Sequence, residues 1–296
     1  MVAIRRRIVA FLITLITLIS LSIYYRYQLQ NTLSYASRPL WDTPDGPKNL
    51  IPHFYAPGVE PSAAICKLHG YDVRVDVEGG KEVWDAVLLS TELDLLEVRM
   101  NELDGVVDQF FVIESDRTSS CFSFLIEEIE ESGLDGVGTF TGLPKPTYFK
   151  EALKTPRFSR FAPKITYALH PGRIPKPGES PFAVEAEQRA AMTRLLSSSL
   201  PATGRSPPLA SRPTPPPLVI MSDVDEIPAA HTIKLVKTCA FPRVLHLQLR
   251  NYVYSFEWPS GWGSWRAAVH EWSAGSFYRH SMAGDVVLAD AGWHCR

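Results

Sequence analysis

A short apolar segment that runs directly into acidic residues constrains this chain more than any other feature. The four residues at 218–221 are all apolar and suit a buried strand, and the polar end begins at Ser222. Asp223 and Asp225 follow two positions apart, so in an extended backbone they project to one side and can share a divalent cation. An Asp-x-Asp pair also occurs in helix caps and turns, which is the structural alternative. The pattern predicts a carboxylate metal site at the end of a strand.

Other metal and nucleotide motifs do not match the sequence. Ile227 and Pro228 stand where an EF-hand loop requires a ligand and a glycine, which excludes that type of calcium site. His270 and Glu271 are not followed by the second histidine of an HExxH zinc motif. The sequence contains no CxxC pair, G-x-G-x-x-G loop or P-loop. The Asp-x-Asp pair is therefore the principal candidate for metal chemistry.

A β-α-β unit is predicted between residues 83 and 113. The segment 83–90 is a strand candidate, and Thr91 followed by Asp94 resembles a capping box that begins a helix. The apolar positions of this helix recur at spacings of three and four, at Leu93, Leu96, Met100 and Leu103. A second strand follows at 109–113, and the two strands should be parallel with a right-handed crossover. The chain is therefore predicted to be an α/β protein.

The polar residues after the second strand are candidates for nucleotide binding, because ligands of open parallel sheets bind beyond the carboxyl ends of the strands. Glu114, Ser115 and Asp116 occupy that position and are predicted to contact a nucleotide base or ribose. The alternative is that they only end the strand and begin a turn. On a later predicted helix, Arg189 and Arg194 are secondary candidates for contact with a diphosphate.

Two later elements follow from periodicity. A short helix is predicted at 230–238, and a strand at 244–249, where leucines alternate with polar residues. Aromatic residues are frequent between 252 and 272 and offer flat apolar surfaces on which sugar rings stack, although most such residues belong to protein cores. One or two of them are expected to contact a sugar.

The first 60 residues predict a membrane anchor and a stem. Residues 8–23 are apolar apart from Thr and Ser, and three arginines precede them, which would keep the N-terminus on the cytoplasmic side. The predicted order is a cytoplasmic tail at 1–7, a transmembrane anchor at 8–25, a proline-rich stem at 26–60 and a lumenal domain at 61–296. A cleaved signal peptide is the competing interpretation.

Charge and cysteine content bear on partners and compartment. The formal net charge is −2 and the basic residues form no stripe, so nucleic acid is excluded as a partner. The four cysteines, Cys66, Cys121, Cys239 and Cys295, allow three pairings if all are oxidised, and a lumenal domain would permit disulfides. Free buried thiols are the alternative.

Several stretches of the chain together resemble one enzyme family. They are Val-Trp-Asp-Ala-Val-Leu-Leu-Ser at 83–90, the acidic and apolar run at 92–99, Phe-Val-Ile-Glu-Ser at 111–115, Met-Ser-Asp-Val-Asp-Glu-Ile-Pro at 221–228 and Ala-Gly-Trp-His-Cys at 291–295. In these motifs the chain resembles glycosyltransferase family 17, with interruptions, over about residues 60–296.

The resemblance implies a GT-A-like (Rossmann-like), mostly parallel sheet flanked by helices. It also implies a metal-dependent, inverting transfer of GlcNAc from UDP-GlcNAc to a mannose hydroxyl of an N-glycan. The protein would be a single-pass type II protein of the Golgi or secretory-pathway membrane, acting on a glycan or glycoprotein acceptor. Mn²⁺ or Mg²⁺ would be held by Asp225 and His294, with Asp223 binding the ion through water or contacting the ribose.

An inverting displacement also needs a carboxylate that accepts the proton of the acceptor hydroxyl. The candidates are Glu271, Asp285 and Asp290, and the sequence leaves the choice among them open.

The family pattern is interrupted at 119–138 and at 197–217. We hypothesise that at least one of these segments is translated non-coding sequence. The chain also ends at a motif after which the family's domain continues, so the domain is expected to be incomplete and its activity reduced or absent. A membrane-tethered glycan-binding protein without catalysis and a metal-dependent phosphohydrolase are the alternative functions.

Overall fold

The described part of the chain forms an α/β fold with two sheets. The computed structural model describes residues 2–24, 49–56, 58–75, 81–117, 144–174, 176, 182–200, 215–264, 267–273, 275–278 and 286–295. The predicted α/β class is confirmed. The predicted insertion at 119–138 lies outside the described residues, as does 201–214 within the second interruption.

The secondary structure follows the chain in alternating order over its central part. The helices are α1 (Val2–Tyr24), α2 (Ala63–Leu68), α3 (Leu93–Leu103), α4 (Tyr148–Ala152), α5 (Pro156–Ser159), α6 (Phe182–Ser199) and α7 (Ala230–Thr238), with a 3₁₀ helix at Ala162–Lys164. The strands are β1 (Asn49–Ile51), β2 (Val83–Leu89), β3 (Gln109–Ser115), β4 (Ile165–His170), β5 (Leu218–Met221), β6 (Glu226–Pro228), β7 (Val244–Leu247), β8 (Leu249–Tyr252), β9 (Pro259–Ser264), β10 (Ala268–Glu271), β11 (Val286–Leu288) and β12 (Gly292–Cys295).

The main sheet has the order β1-β11-β7-β10-β5-β2-β3-β4, and a smaller sheet has the order β6-β12-β8-β9. In the main sheet β2 is parallel to both its neighbours, β3 and β5, and β3 is parallel to β4. Strand β10 is antiparallel to β5 and to β7. The predicted parallel β-α-β unit is confirmed in β2, α3 and β3.

Alternate side chains of β2 enter two apolar clusters on opposite faces of the sheet. Val83 and Val87 pack with the buried face of α3, whereas Trp84 and Ala86 pack with the buried residues of α6. Both faces are covered, which is why β2 reads as an almost continuous apolar run. The main sheet is thus the middle layer between α3 and α6.

The predicted inward face of α3 is confirmed, because Leu96, Met100 and Leu103 are fully buried. The predicted capping box is wrong. Glu92 is the N-cap residue and makes no side-chain bond to the helix. Its carboxylate instead accepts hydrogen bonds from the backbone N–H groups of Ser90 and Thr91, which precede the helix.

The predicted strand at 244–249 is divided between the two sheets. Strand β7 belongs to the main sheet, and β8 begins two residues later in the smaller one. The Gln248 N–H donates to the carbonyl of Leu288 at 2.9 Å, so the crossing between the sheets is hydrogen-bonded. An alternating pattern fixes which side chains are buried but does not reveal such a change of sheet.

The N-terminal region differs from the prediction in two ways. Strand β1 pairs in parallel with β11, so the end of the predicted stem at 26–60 is part of the main sheet. Helix α1 contains most of the predicted anchor at 8–25. Within the described ranges, however, no helix is both long enough and apolar enough to cross a membrane.

One disulfide joins two elements that are distant in the sequence. Cys66 in α2 is bonded to Cys239, the residue that follows α7, across a separation of 173 residues. Cys295 is a free thiol, and Cys121 lies outside the described residues.

Candidate active site

The acidic motif forms a tight turn between β5 and β6. The Glu226 N–H donates to the Asp223 carbonyl at 3.0 Å, which closes the turn. The prediction of extended backbone at Asp223 and Asp225 is therefore wrong. Val224, between them, is only 4% exposed and packs in the core. The turn is thus anchored by an apolar side chain with one carboxylate on each side of it.

Two further polar residues of the motif, Ser222 and Glu226, form hydrogen bonds within the turn. The Glu226 carboxylate accepts the Asp223 N–H at 3.2 Å, and the Ser222 hydroxyl donates to the Glu226 carbonyl at 2.9 Å. Both side chains are buried. The side chains of Asp223 and Asp225 are 53% and 33% exposed. The motif therefore leaves its two aspartates, and not Glu226, accessible to a ligand.

Asp225 lies beside His294, as predicted for two of the proposed metal ligands. The His294 Nε2 atom is 3.4 Å from an Asp225 carboxylate oxygen, and its Nδ1 atom is 3.1 Å from Asn251 Oδ1. Because an amide oxygen only accepts hydrogen bonds, Asn251 assigns the ring proton to Nδ1. The Nε2 atom faces a carboxylate oxygen of Asp225, an arrangement in which both atoms can bind one cation.

Strand pairing explains why these two residues meet. His294 in β12 is opposite Glu226 in β6, and the Cys295 N–H donates to the Asp225 carbonyl at 2.9 Å. Gly292 permits the close approach of β12, since a Cβ atom there would lie 2.2 Å from the Ile227 carbonyl oxygen. Burial and the nearby Asp225 raise the pKa of the Cys295 thiol. The thiol beside His294 is therefore neutral.

Asp223 lies next to Arg189 of α6. An Asp223 carboxylate oxygen is 3.7 Å from a terminal nitrogen of Arg189, a side chain that also pairs with Glu185. Arg189 is buried, and its guanidinium lies 5.7 Å from the ring centre of Tyr278. The predicted three-residue metal set is thus divided. Among the described residues, no group of three or more His, Cys, Asp or Glu side chains could hold a metal ion.

A comparison with known proteins identifies the family of this chain. Residues 5–130 and 131–296 match the model of glycosyltransferase family 17. The chain belongs to glycosyltransferase family 17. The family 17 chain is also 26% identical over 213 residues to the β-1,4-mannosyl-glycoprotein 4-β-N-acetylglucosaminyltransferases of Rattus norvegicus and Homo sapiens. The match covers 70% of this chain and 34% of each relative, so the chain spans about a third of their length.

In the family 17 chain, Glu114 is a buried residue that stabilises the fold. It is fully buried, and its carboxylate accepts hydrogen bonds from the backbone N–H groups of Phe149 and Lys150 and from the Tyr167 hydroxyl, at 3.0, 3.2 and 3.0 Å. Burial and this carboxylate raise the pKa of Tyr167. Glu114 holds the start of α4 against β3, so the structure does not leave it available as the predicted nucleotide contact.

Ser115 and Asp116 lie at the carboxyl end of β3, where they were predicted. The Asp116 carboxylate accepts the Gly172 N–H at 2.7 Å, and the Ser115 hydroxyl accepts the Arg117 N–H at 3.3 Å. A Cβ atom at Gly172 would lie 2.6 Å from Arg117 and 2.8 Å from the Ser115 hydroxyl, so this glycine allows the loop after β4 to approach the end of β3. Asp116 remains partly accessible.

The same edge of the sheet carries two polar groups that sequence reasoning missed. The Ser90 hydroxyl, after β2, and His170 Nε2, at the end of β4, are buried and have no hydrogen-bond partner among the described residues. Burial lowers the pKa of His170, so its ring is neutral at physiological pH. Ser90 ends the motif at 83–90 but was assigned no role there, His170 lies in none of the motifs, and only the strand order reveals that both are at the carboxyl edge.

Two of the three predicted general bases, Glu271 and Asp290, make their contacts with residues outside the turn. Glu271 is paired with Leu218, at the opposite end of β5, and its carboxylate contacts Lys81 Nζ at 2.7 Å. Asp290 accepts a hydrogen bond from the Tyr55 hydroxyl at 3.2 Å, and its carbonyl accepts one from His53 Nδ1 at 3.2 Å. Asp285 lies outside the described residues.

Proposed function

We propose that this chain is a GT-A-like N-acetylglucosaminyltransferase that uses UDP-GlcNAc and a divalent cation. The acceptor is a mannose hydroxyl of an N-glycan, and the displacement inverts the sugar's anomeric configuration. The observation that carries the proposal is the pair Asp225 and His294, held at 3.4 Å beside an acidic turn at the carboxyl end of β5. Membership of family 17 and the names of the relatives support the reaction and its substrates.

The strand order supports a donor site at this turn. The chain adds β3 and β4 on one side of β2, and β5 on the other side. Helices α3 and α6 accordingly cover opposite faces of the sheet. In doubly wound sheets, ligands bind in the crevice where the strand order reverses, beyond the carboxyl ends of the strands. That crevice lies between Ser90 after β2 and Asp223 after β5.

The polar groups around the crevice suit the parts of a nucleotide sugar. The Ser90 hydroxyl and His170 Nε2 would gain hydrogen-bond partners from the nucleoside, because buried polar atoms without partners are costly. The Arg189 guanidinium, beside Asp223, would donate to the diphosphate. Asp116 is suited to accept from a ribose hydroxyl.

Asp225 and His294 fit a divalent cation that is shared with the donor. Mg²⁺ is usually held by one or two protein ligands, with substrate phosphates and waters completing the shell. A two-residue protein site is therefore consistent with a metal bound together with a diphosphate. When bound, the ion supplies positive charge for the departing UDP. Asn251 orients His294 for this role, and the turn orients Asp225.

The disulfide supports a location of the domain in the lumen of the secretory pathway. Disulfides form and persist in oxidising compartments such as the lumen of the secretory pathway. The bond between Cys66 and Cys239 closes most of the domain into one loop, with a sequence separation of 173. A lumenal site is also where N-glycan acceptors are processed, so the compartment and the proposed substrate agree.

The experiment is a turnover assay of the full chain with a panel of UDP-sugars and an N-glycan acceptor, with and without Mn²⁺. We expect transfer from UDP-GlcNAc that needs the metal, with mass spectrometry showing one added GlcNAc on the acceptor. Hydrolysis of the donor without transfer would identify a hydrolase. Binding of the glycan without turnover of any donor would identify a non-catalytic glycan-binding protein.

A further inference from the structure

The acidic turn rests on one buried arginine. Arg99 of α3 is 0% exposed. One terminal nitrogen donates to the carbonyl of Asp223 at 2.8 Å and to the carbonyl of Glu226 at 2.7 Å. The other donates to the hydroxyl of Ser222 at 2.7 Å. A single guanidinium therefore contacts the turn at its beginning and at its end.

The opposite side of the same guanidinium is fixed by Asp85 in β2. Two parallel hydrogen bonds join them, from Arg99 Nε and Nη2 to the two carboxylate oxygens, at 2.9 and 2.7 Å. This fork geometry fixes the plane of the guanidinium as well as its position. Asp85 lies on β2, an interior strand of the main sheet, and is itself buried, so the arginine is anchored to the interior of that sheet.

The direction of these bonds matters for the two aspartates. The carbonyls of Asp223 and Glu226 point inward to Arg99, and Val224 packs in the core. With those three groups fixed, the side chains of Asp223 and Asp225 are left to project outward, where they are partly exposed. The turn has no glycine to relax its backbone, and its shape depends on these donors.

We propose that Arg99 is a positioning residue that sets the geometry of the cation and diphosphate site through the backbone of the turn. The consequence for ligands rests on the proposed transferase function. Lysine at position 99 would keep a positive charge beside Asp85, so Arg99→Lys avoids the cost of leaving a buried charge without a partner. The expected effect is on local geometry and ligand affinity. Partners that orient metal ligands in this indirect way typically change metal affinity by about 10-fold to 100-fold when altered.

The test compares Arg99→Lys with Arg157→Lys in the full chain. Lysine keeps the positive charge but cannot reproduce the fork with Asp85 and the contacts with both carbonyls at once. Arg157 is a matched control, because it also pairs with carboxylates of α3, at Asp94 and Glu97, but on the surface. Two quantities are measured: amide hydrogen exchange along the chain, and calorimetric binding of Mn²⁺ followed by UDP.

We expect Arg99→Lys to accelerate exchange in the peptide covering 222–228 by about tenfold or more while the central strands remain protected. Binding of Mn²⁺ with UDP should weaken by about 10-fold to 100-fold. Arg157→Lys should change neither quantity. Ser222→Ala removes one of the contacts and should change both quantities in the same direction by a smaller factor. It replaces Arg99→Lys as the test variant if Arg99→Lys does not fold.

Three results would overturn the role of Arg99. One is unchanged exchange at 222–228 in both Arg99→Lys and Ser222→Ala. Another is a uniform acceleration of exchange along the whole chain, which would indicate a general contribution to stability. The third is a locally loosened turn that still binds Mn²⁺ and UDP as the wild type does. If the wild type binds neither ligand, the proposed transferase function fails, and the exchange data alone decide whether Arg99 holds the turn.

Discussion

The two ends of β5 use their nearby carboxylates in different ways. At its carboxyl end, Asp223 and Asp225 are partly exposed, and Asp225 faces the Nε2 atom of His294. At its other end, Glu271 contacts Lys81 Nζ at 2.7 Å, and Lys81 is only 2% exposed. The first end leaves its carboxylates partly exposed, whereas the second pairs its carboxylate with a buried lysine.

This difference teaches how to separate binding from structural carboxylates. A carboxylate that is already bonded to internal partners, such as the buried Glu114 or the half-buried Glu271 paired with Lys81, has little capacity left for a ligand and contributes to folding. A carboxylate that projects from a fixed turn keeps its lone pairs accessible. Replacing one residue of each kind should therefore affect different measurements, activity in one case and stability in the other.

The largest effect is expected for Asp225→Asn. The amide keeps the size of the side chain but removes the charge that would hold the cation, and Lewis-acid stabilisation is worth several kcal/mol. We expect metal-dependent transfer from UDP-GlcNAc to fall by about 100-fold to 1,000-fold, with little change in the free energy of unfolding. Steady-state kinetics over a range of Mn²⁺ concentrations measures this.

The matched control is Asp72→Asn, which neutralises an exposed aspartate that pairs with Lys67 on the surface. It should leave turnover unchanged. Full activity of Asp225→Asn would remove the proposed distinction between the two ends of the strand.

Glu271→Gln should show the opposite profile. It removes the negative charge that contacts the buried Lys81 at 2.7 Å, and breaking such a pair costs about 3 kcal/mol. We expect this loss in the free energy of unfolding, measured by chemical denaturation, while kcat of the folded fraction stays the same. A loss of kcat at unchanged stability would instead restore Glu271 as the general base.

Much of the fold could be predicted because periodicity records burial. The apolar spacing of α3, the strand before it and the strand after it all correspond to observed elements. The division of 244–252 between two sheets could not be predicted, since β7 and β8 are separated by a single residue and alternation continues across it. Nor could the addition of β1 to the main sheet, because three residues carry too little pattern.

The site could be predicted only in part. The motif located Asp223 and Asp225, and the family resemblance supplied His294, which the structure places beside Asp225. Glu114 is structural because it accepts hydrogen bonds from the start of α4, and Glu271 is structural because it pairs with Lys81. Both partners are distant in sequence, so the sequence did not reveal either role. Arg99 appears in the sequence as one more charged residue on a helix, and only the tertiary structure shows that it lies beneath the acidic turn.

Gly292→Ala tests whether the proposed metal site at the carboxyl end of β5 depends on the close approach of β12 to β6. The added methyl group would lie 2.2 Å from the Ile227 carbonyl oxygen, so β12 would have to move away from β6. We expect a loss of about 2 kcal/mol in the free energy of unfolding, and weaker Mn²⁺ binding because His294 moves with β12. Gly105→Ala, where a Cβ atom meets nothing within 4 Å, is the control. Unchanged Mn²⁺ affinity in a destabilised Gly292→Ala would separate His294 from the metal site.

The smallest effect is expected at the corner formed by Asp290, where a predicted base is again held by internal partners. His53 donates to the Asp290 carbonyl and lies beside His69 and His231, and burial lowers its pKa to about 4. Because this folded-state pKa is below the unfolded value of 6.5, the neutral ring stabilises the fold above pH 6.5, and this stability is lost as the pH falls toward 4. After allowance for partial exposure, the loss attributable to His53 is about 1 kcal/mol.

Denaturation of wild type and His53→Gln at several pH values measures this loss, since glutamine keeps a donor for the Asp290 carbonyl. The two proteins should differ by a constant amount above pH 7 and converge toward pH 4, and parallel curves throughout that range would show that His53 does not titrate there.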